Sequence, residues 1–160
     1  MITIRTASTD DAPLLARLNG IVHELHVAHR PDLFVDSPGQ DALEALFRAR
    51  LGDPSVTAFV ADDSDGRSLG YAQARVVSWD ASALVQPDRV VSLDQIAVVP
   101  EAGGMGVGSA LLEAVRDMGR KAGCRRLVTE VWDFNEGARA FYDAAGLQPM
   151  NVRLDQPLCP

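Results

Sequence analysis

The stretch VVPEAGGMGVGSALL, residues 98–112, decides how this chain folds. It places four glycines between an apolar run and a pattern that is typical of a helix. The first amides of a helix have no partner within the helix, and the helix dipole adds partial positive charge at that end. Glycines let a ligand come close to those amides. The stretch therefore predicts a loop that binds a phosphate group, and the alternative is a merely flexible turn.

Two familiar phosphate-binding patterns do not fit this stretch. A P-loop needs Lys and then Ser or Thr after its last glycine, whereas Gly108 is followed by Ser109 and Ala110. The dinucleotide fingerprint G-x-G-x-x-G fails because Ser109 stands where its third glycine belongs. Glu130 follows at the distance of a ribose-binding acid, but only 52 residues remain after Gly108. A Rossmann-like nucleotide-binding domain is therefore disfavoured.

The rest of the chain predicts one mixed α/β domain over residues 1–160. Alternating apolar residues predict strands, and apolar residues at helical spacing predict helices. The predicted strands are 2–7, 55–62, 68–79, 89–99 and 125–132, with one or two edge strands in the tail 147–157. The predicted helices are 8–29, 37–51, 107–122 and 135–146, and the second is expected to bury Leu43, Leu46 and Phe47. The order is β-α-α-β-β-β-α-β-α-β, a mixed β-sheet flanked by helices.

The composition limits the partners and the compartment. A net charge of −7 argues against a nucleic-acid partner, and no apolar run is long enough to span a membrane. The N-terminus lacks the apolar region of a signal peptide, and Cys124 and Cys159 are isolated, so a reduced, cytoplasmic protein is expected. His23, His26 and His29 have no carboxylate or thiolate partner at metal spacing, so no metal is expected.

Two blocks of the sequence carry a family resemblance. The first, IAVVPEAGGMGVGSALL, resembles the acyl-coenzyme A loop of the GNAT superfamily of N-acyltransferases, whose usual form is V-x-P-x-x-R-G-x-G-I-G before a helix. The second, NEGARAFYDAAG, resembles the N-x-x-A-x-x-F-Y-x-x-x-G helix of the same family. The resemblance covers residues 1 to about 155. It implies a GNAT-like fold with acetyl-coenzyme A (acetyl-CoA) as co-substrate and no metal. The implied reaction is acetyl transfer to a primary amine of a small molecule or peptide, by direct attack in a ternary complex.

The resemblance also implies which residues bind acetyl-CoA. The strand before the loop offers backbone amides of Ile96 and Val98, with Ala97 nearby, and Asn135 meets the pantetheine arm. The pyrophosphate is assigned to the loop residues Gly103, Gly104, Met105, Gly106, Val107, Gly108 and Ser109. Gly103 departs from the family, which usually has Arg or Gln there. We expect binding to survive through the backbone, with weaker affinity for acetyl-CoA.

Tyr142 is the candidate acid. It stands where the family has the phenol that protonates the departing thiolate, and a phenol with a pKa of about 10 roughly matches a thiol. The alternative is a core tyrosine packed beside Phe141. A second function would be a non-catalytic module that binds acyl-CoA as a sensor, but binding alone does not require a phenol at the sulfur.

Asp94 is the candidate base. The two-residue period of a strand places it on the same face as Ile96 and Val98. The stretch LDQIAV also resembles a strand of some aminoglycoside N-acetyltransferases, where an Asp at this offset is proposed as the base. The alternatives are an Asp that is paired with Arg75 or Arg89, and deprotonation of the amine through water.

The resemblance places one wall of the acceptor site on the first helix-loop-helix. His26 and Phe34 are therefore predicted to border the acceptor, together with Trp79 at a strand end, whereas Trp132 is predicted to pack in the core. No residue identifies the acceptor itself, and the charge of −7 only favours a cation. Edge strands at the C-terminus favour a homodimer.

Overall fold

The computed structural model describes residues 1–158, which form five strands and four helices. In chain order these are β1 (Thr3–Thr6), α1 (Ala12–His29), α2 (Gln40–Gly52), β2 (Val56–Asp62), β3 (Ser68–Trp79), β4 (Asp88–Val98), α3 (Val107–Lys121), β5 (Arg126–Thr129) and α4 (Glu136–Ala144). The order agrees with the predicted one from β1 to α4. Residues 147–158 form neither a helix nor a strand, so the predicted closing strand is not formed there. Cys159 lies outside the described residues.

The 3-10 turn Thr9–Asp11, which leads into α1, begins with a local capping pattern. The side chain of Ser8 accepts a hydrogen bond from the amide of Asp10 (3.3 Å), and the carboxylate of Asp11 accepts one from the amide of Ser8 (2.8 Å). This reciprocal arrangement is a capping box, which satisfies amides that a helix start leaves without partners. Arg5 pairs with both Asp11 and Asp62 at 2.9 and 2.8 Å, which ties the helix start to the sheet.

The sheet has the order β1-β2-β3-β4-β5. The first four strands are antiparallel neighbours, and β5 runs parallel to β4. The pairing of β3 with β4 has one irregularity, because Gln73 lies opposite Gln95 whereas Ala74 lies opposite Leu93. Asp94 is therefore an extra residue, which makes a β-bulge in the middle of β4.

Helices cover both faces of this sheet. On one face, α1 and α2 bury a cluster that includes Leu15, Phe47, Val60, Tyr71 and Ala97. On the other face, α3 packs so closely that a Cβ on Gly119 would lie 2.5 Å from the side chain of Val91. The prediction for α2 is confirmed for Phe47 and wrong for Leu46, which is 44% exposed on the outer side of the helix.

The chain divides into two compact units, Met1–Glu130 and Val131–Pro160. The first contains the sheet with α1 to α3, and the second contains α4 and the tail. In the second unit, Trp132 stacks on Phe134 with ring centroids 5.7 Å apart and is 37% exposed, so the prediction of a core tryptophan is wrong. The single domain stays a prediction. Among the described residues, no helix combines the length and apolar character needed to cross a bilayer.

Candidate active site

The second half of β4 has an open backbone edge. The pairing of β5 with β4 ends at Leu93, whose carbonyl accepts a hydrogen bond from the hydroxyl of Thr129 at 2.9 Å. The amide of Val99 donates to the carbonyl of Leu69, on the β3 side, at 2.8 Å. Because backbone groups alternate between the two edges of a strand, the amides of Ile96 and Val98 point away from β3. In the described part of the chain, no strand pairs with that edge beyond Leu93.

The loop that follows β4 depends on glycine at two positions. Gly104 and Gly106 have φ angles of +76° and +83°, in the left-handed region that other residues rarely adopt. A Cβ built on either residue would meet nothing within 4 Å, so open space lies beside both. The backbone conformation, and not crowding by the protein, therefore requires these glycines.

The N-terminus of α3 is left without a cap by the described residues. Its N-cap is Gly106, which has no side chain to accept hydrogen bonds, and no acidic residue lies in the first turn. The first intrahelical bond runs from the amide of Ala110 to the carbonyl of Gly106 at 2.9 Å. The amides of Val107, Gly108 and Ser109 therefore precede that bond, and together with the helix dipole they form a site suited to an anion.

Side-chain exposure separates backbone roles from side-chain roles in this region. Val107 and Ala97 are 1% and 4% exposed, so their side chains belong to the core. The amide of Val107 lies in the first turn of α3, whereas the amide of Ala97 points towards β3. Met105 is 60% exposed at the tip of the loop. The loop therefore offers peptide groups that are suited to an anion, with one exposed apolar side chain beside them.

Asp94 lies on the opposite face of the sheet from the one predicted. Its carboxylate accepts a hydrogen bond from the hydroxyl of Ser92 at 2.9 Å and lies 2.8 Å from Nε of Arg75. Ile96 and Val98 instead lie opposite Ala72 and Gly70, on the other face. The bulge is the reason, because an extra residue interrupts the two-residue alternation.

The predicted pairing of Asp94 with an arginine is therefore observed for Arg75. Arg89, the other predicted partner, has its own contacts. Its Nε donates to the carbonyl of Ala122 at 2.7 Å, and its guanidinium contacts the hydroxyl of Ser78. Arg89 thus binds the C-terminal end of α3, where a cation is favoured by the helix dipole.

Asn135 and Tyr142 lie on one short helix of the second unit. The side chain of Asn135 accepts a hydrogen bond from the amide of Ala138 at 3.0 Å and caps α4. Tyr142 follows two turns later, is 8% exposed and has its ring 5.3 Å from that of Phe141. Both residues are therefore held by α4 itself. Asn135 keeps the capping role that its residue type favours.

The comparisons with known proteins decide the family. The model of the Acetyltransferase (GNAT) family matches residues 21–147, which is most of the chain. The chain belongs to the GNAT acetyltransferase family. The predicted resemblance is thereby confirmed, and so is the predicted class of enzyme, an N-acetyltransferase.

This N-acetyltransferase has named relatives. It is 33% identical over 146 residues to the aminoglycoside N(6')-acetyltransferase type 1 of Stenotrophomonas maltophilia, which covers 91% of this chain and 86% of that protein. It is 36% identical over 123 residues to the thialysine N-epsilon-acetyltransferase of Bos taurus, covering 77% of this chain and 64% of that protein. These relatives act on different amines, so the family alone does not identify the acceptor.

Solved structures confirm the fold class. The tetramutant of the BH1408 protein from Bacillus halodurans superimposes with a TM-score of 0.90 at 26% identity and covers 98% of this chain and 99% of that one. The aminoglycoside N-acetyltransferase AAC(6')-Iy, in complex with CoA, superimposes with a TM-score of 0.76 at 22% identity and covers 99% of this chain and 96% of that one. The second likeness concerns the fold alone.

The predicted acceptor residues of this acetyltransferase fall in two places. The ring of His26 lies 4.9 Å from that of Phe34, and Nε2 of His23 lies 2.7 Å from the carbonyl of Val35, which holds the segment after α1 against the helix. Burial, helped by the charge of His23, lowers the pKa of His26. This cluster therefore combines a neutral imidazole with an apolar ring.

Trp79 lies apart from the bulge. Trp79 is paired with Asp88, the first residue of β4. Asp88 is six residues before Asp94, so along an extended strand the two positions are about 20 Å apart. Trp79 is 39% exposed. The structure therefore does not bring Trp79 and Asp94 together, and the cluster of His26 and Phe34 is the better candidate for a wall near the bulge. Asn19, which contacts the sheet beside the bulge, lies on the same side of α1 as His26 and two turns earlier.

A buried polar chain behind the bulge was missed at the sequence level. The amide group of Asn19 donates to the hydroxyl of Tyr71 at 3.2 Å, and that hydroxyl donates to Oε1 of Gln95 at 2.9 Å. Burial raises the pKa of Tyr71 to about 12, so the phenol keeps the proton that it donates. Gln73, opposite Gln95, is 4% exposed. The available signal was the presence of Gln73 and Gln95 within otherwise apolar strands.

Proposed function

We propose that this enzyme transfers the acetyl group of acetyl-CoA to a primary amine of a small cationic molecule, by direct attack in a ternary complex. One observation carries the proposal. The open edge of β4 leads through the glycine loop to the uncapped N-terminus of α3, so amides suited to an extended chain are followed by amides suited to a pyrophosphate. The similarity to an aminoglycoside acetyltransferase and the net charge of −7 favour a cationic acceptor over a neutral one.

The proposed acetyl-CoA site uses mostly backbone groups. Acetyl-CoA supplies an activated thioester. The amides of Ile96 and Val98 would hold the pantetheine arm and the thioester oxygen, because they point away from β3 and have no strand partner beyond Leu93 in the described chain. The loop from Gly103 to Ser109 would hold the pyrophosphate, and Asn135 would meet the pantetheine arm, as the resemblance implies.

The proposed chemistry needs one base and one acid. Asp94 would take a proton from the ammonium group of the acceptor, and the freed nitrogen lone pair would attack the thioester carbon. The carbon–sulfur bond would then break, and the phenol of Tyr142 would give its proton to the sulfur. The second proton that the nitrogen loses on becoming an amide would pass back to the phenolate of Tyr142. The amides of Ile96 and Val98 would stabilise the negative charge that develops on the oxygen.

We also infer a homodimer and a cytoplasmic location. The dimer is supported by the apolar side chains that the tail exposes, and the location by the isolated cysteines of the sequence. The proposed acceptor is a small molecule and not a nucleic acid, because binding the phosphates of a nucleic acid requires a basic face and the chain has a net charge of −7.

The experiment that tests the proposal is a calorimetric titration of the protein with acetyl-CoA, with NADH and ATP as comparison ligands. Selective binding of acetyl-CoA is expected, followed by thiol release when a cationic amine is added. Equal or absent binding of all three ligands would contradict the assignment of the loop.

Gly106→Val is the matching variant. It forces a β-branched residue to a φ of +83° and fills the open space beside the loop, so acetyl-CoA binding should be lost. Met105→Ala is the control, because it changes an exposed side chain of the same loop and should leave the affinity nearly unchanged. A thermal melt of each variant separates loss of the site from loss of the fold.

Tyr142→Phe tests the proposed acid. It should lower kcat by about 10²-fold or more while leaving the dissociation constant for acetyl-CoA close to that of the wild type. An unchanged kcat would remove Tyr142 from the chemistry.

A further inference from the structure

Two acceptor atoms at the bulge lack hydrogen-bond donors in the described chain. They are Oε1 of Gln73 and Oδ2 of Asp94, and both are buried. Gln73 lies opposite Gln95, the neighbour of Asp94 in β4. Buried polar atoms are usually satisfied, so two unsatisfied atoms of the same kind at one place need a physical reason. Both are acceptors, so the missing partner is a donor.

A cation of the chain itself already lies at one of these atoms. Nε of Arg75 is 2.8 Å from Oδ2 of Asp94, but its N–H lacks hydrogen-bond geometry to that oxygen, so the contact is an ion pair only. The side chain of Arg75 is 51% exposed, whereas that of Asp94 is 15% exposed. An ion pair with one half-exposed partner contributes little to stability, so Arg75 can be exchanged for another cation.

The guanidinium of Arg75 also has a second carboxylate nearby, that of Asp53. The pKa of Asp53 is lowered mainly by hydrogen bonds from Ser55 and, in smaller part, by the positive charge of Arg75. Asp53 follows α2, is exposed and therefore offers a carboxylate in water. A guanidinium that leaves Asp94 would still have a negative partner nearby.

We propose that Arg75 is an internal competitor of the acceptor: its guanidinium occupies the cation position at Asp94 in the free enzyme, and the ammonium group of the acceptor displaces it. The inference rests on the proposed function, because it makes Asp94 the group that receives the ammonium. An ammonium group has three N–H donors, and the bulge offers Oδ2 of Asp94 and Oε1 of Gln73 as acceptors without donors. Arg75 thereby selects for acceptors that carry a positive charge, since a neutral molecule gains less from replacing it.

The test measures binding of neamine and of spermidine to the protein saturated with coenzyme A, by calorimetry. Arg75→Gln removes the competing charge and should tighten binding of both amines by about five-fold. Arg75→Lys keeps a cation and should bind them like the wild type. Arg126→Gln is the matched control, since Arg126 pairs with Asp88 at the other end of β4 and its loss changes the net charge equally.

A second background makes the test specific to the carboxylate. In Asp94→Asn the cation position has lost its charge, so adding Arg75→Gln should change the affinity for either amine by less than two-fold. The inference is overturned if Arg75→Gln leaves amine binding unchanged or weakens it. It is also overturned if Arg126→Gln has the same effect, if the effect persists in Asp94→Asn, or if neither amine binds.

The proposed function fails in a different way. A protein that does not bind coenzyme A, or that releases no thiol from acetyl-CoA with any amine, contradicts the proposed function. Amine binding that depends on Arg75 would then be measured on the protein without coenzyme A.

Discussion

Gly103 is the residue at which this chain departs from the usual GNAT loop. Its φ of −57° and ψ of 135° suit any residue, unlike the angles of Gly104 and Gly106. A Cβ there would lie 3.1 Å from the carbonyl oxygen of Pro100, a tight contact that a shift of a few tenths of an ångström relieves. The backbone therefore does not require glycine at this position.

Gly103→Arg should restore the charged side chain that the family usually has. A guanidinium beside a pyrophosphate makes charge-assisted hydrogen bonds, so the dissociation constant for acetyl-CoA should fall by about ten-fold. Calorimetry measures it, and Gly103→Ala is the control because it makes the same contact with Pro100 without the charge. An affinity equal to that of Gly103→Ala would show that the side chain does not reach the phosphates.

At the scale of elements, one hydrogen-bonded chain joins a helix to two strands. Asn19 of α1, Tyr71 of β3 and Gln95 of β4 meet at the phenol of Tyr71, whose ring packs edge-on against Phe47 of α2 at 6.0 Å. Tyr71→Phe keeps this packing and removes both hydrogen bonds. Since it leaves buried polar groups without partners, it should lower the free energy of unfolding at pH 7 by about 1 to 3 kcal/mol.

Tyr71→Phe should also change how steeply the free energy of unfolding falls at alkaline pH. The pKa of Tyr71 rises from 10.0 to about 12 on folding, so between these values the unfolded chain loses a proton that the folded protein keeps. The contribution of this group is complete below pH 10 and is lost as pH rises towards 12, up to about 2 to 3 kcal/mol. Urea unfolding from pH 9.5 to 11 should therefore show a shallower decline for Tyr71→Phe than for the wild type.

Val60→Ala is the control for both measurements. Val60 lies fully buried in the same cluster and has no polar group, so its truncation should lower stability without changing the pH slope. If Tyr71→Phe keeps the slope of the wild type, the alkaline loss belongs to other groups.

At the scale of the whole molecule, the tail predicts self-association. Val152 and Leu154 are apolar residues of the tail and are 78% and 86% exposed, so the tail offers apolar side chains that a second copy of the chain could cover. Light scattering should give twice the 17.2 kDa of one chain. The double variant Val152→Asp with Leu154→Asp should give the mass of one chain, whereas Leu84→Asp, at another exposed apolar residue, should not. A single-chain mass for the wild type would contradict the dimer.

The sequence predicts most of this molecule because its elements have local causes. The left-handed glycines, the cap at Ser8 and the apolar spacing of α3 depend on neighbours in the chain, and the order from β1 to α4 is confirmed. The bulge at Asp94 could not be predicted, because it depends on which residues of β3 lie opposite. The exposure of Leu46 and Trp132 depends likewise on tertiary packing. The acceptor site is the part that the sequence predicts least well, because it lies where the pairing of β3 with β4 becomes irregular.

Because of the bulge, the side chains on one face of β4 have odd numbers before Asp94 and even numbers after it. Val91 and Leu93 share a face with Ile96 and Val98, so odd positions before Asp94 continue as even positions after it. Deleting Asp94 would remove the extra residue and restore regular alternation, so Gln95 would stay opposite Gln73 and Ile96 and Val98 would stay on their present face. A deletion at position 94 should therefore keep the register and the glycine loop, and remove only the bulge and its carboxylate. An alignment gap there would indicate a relative with an unbulged strand, whose acceptor face lacks this carboxylate.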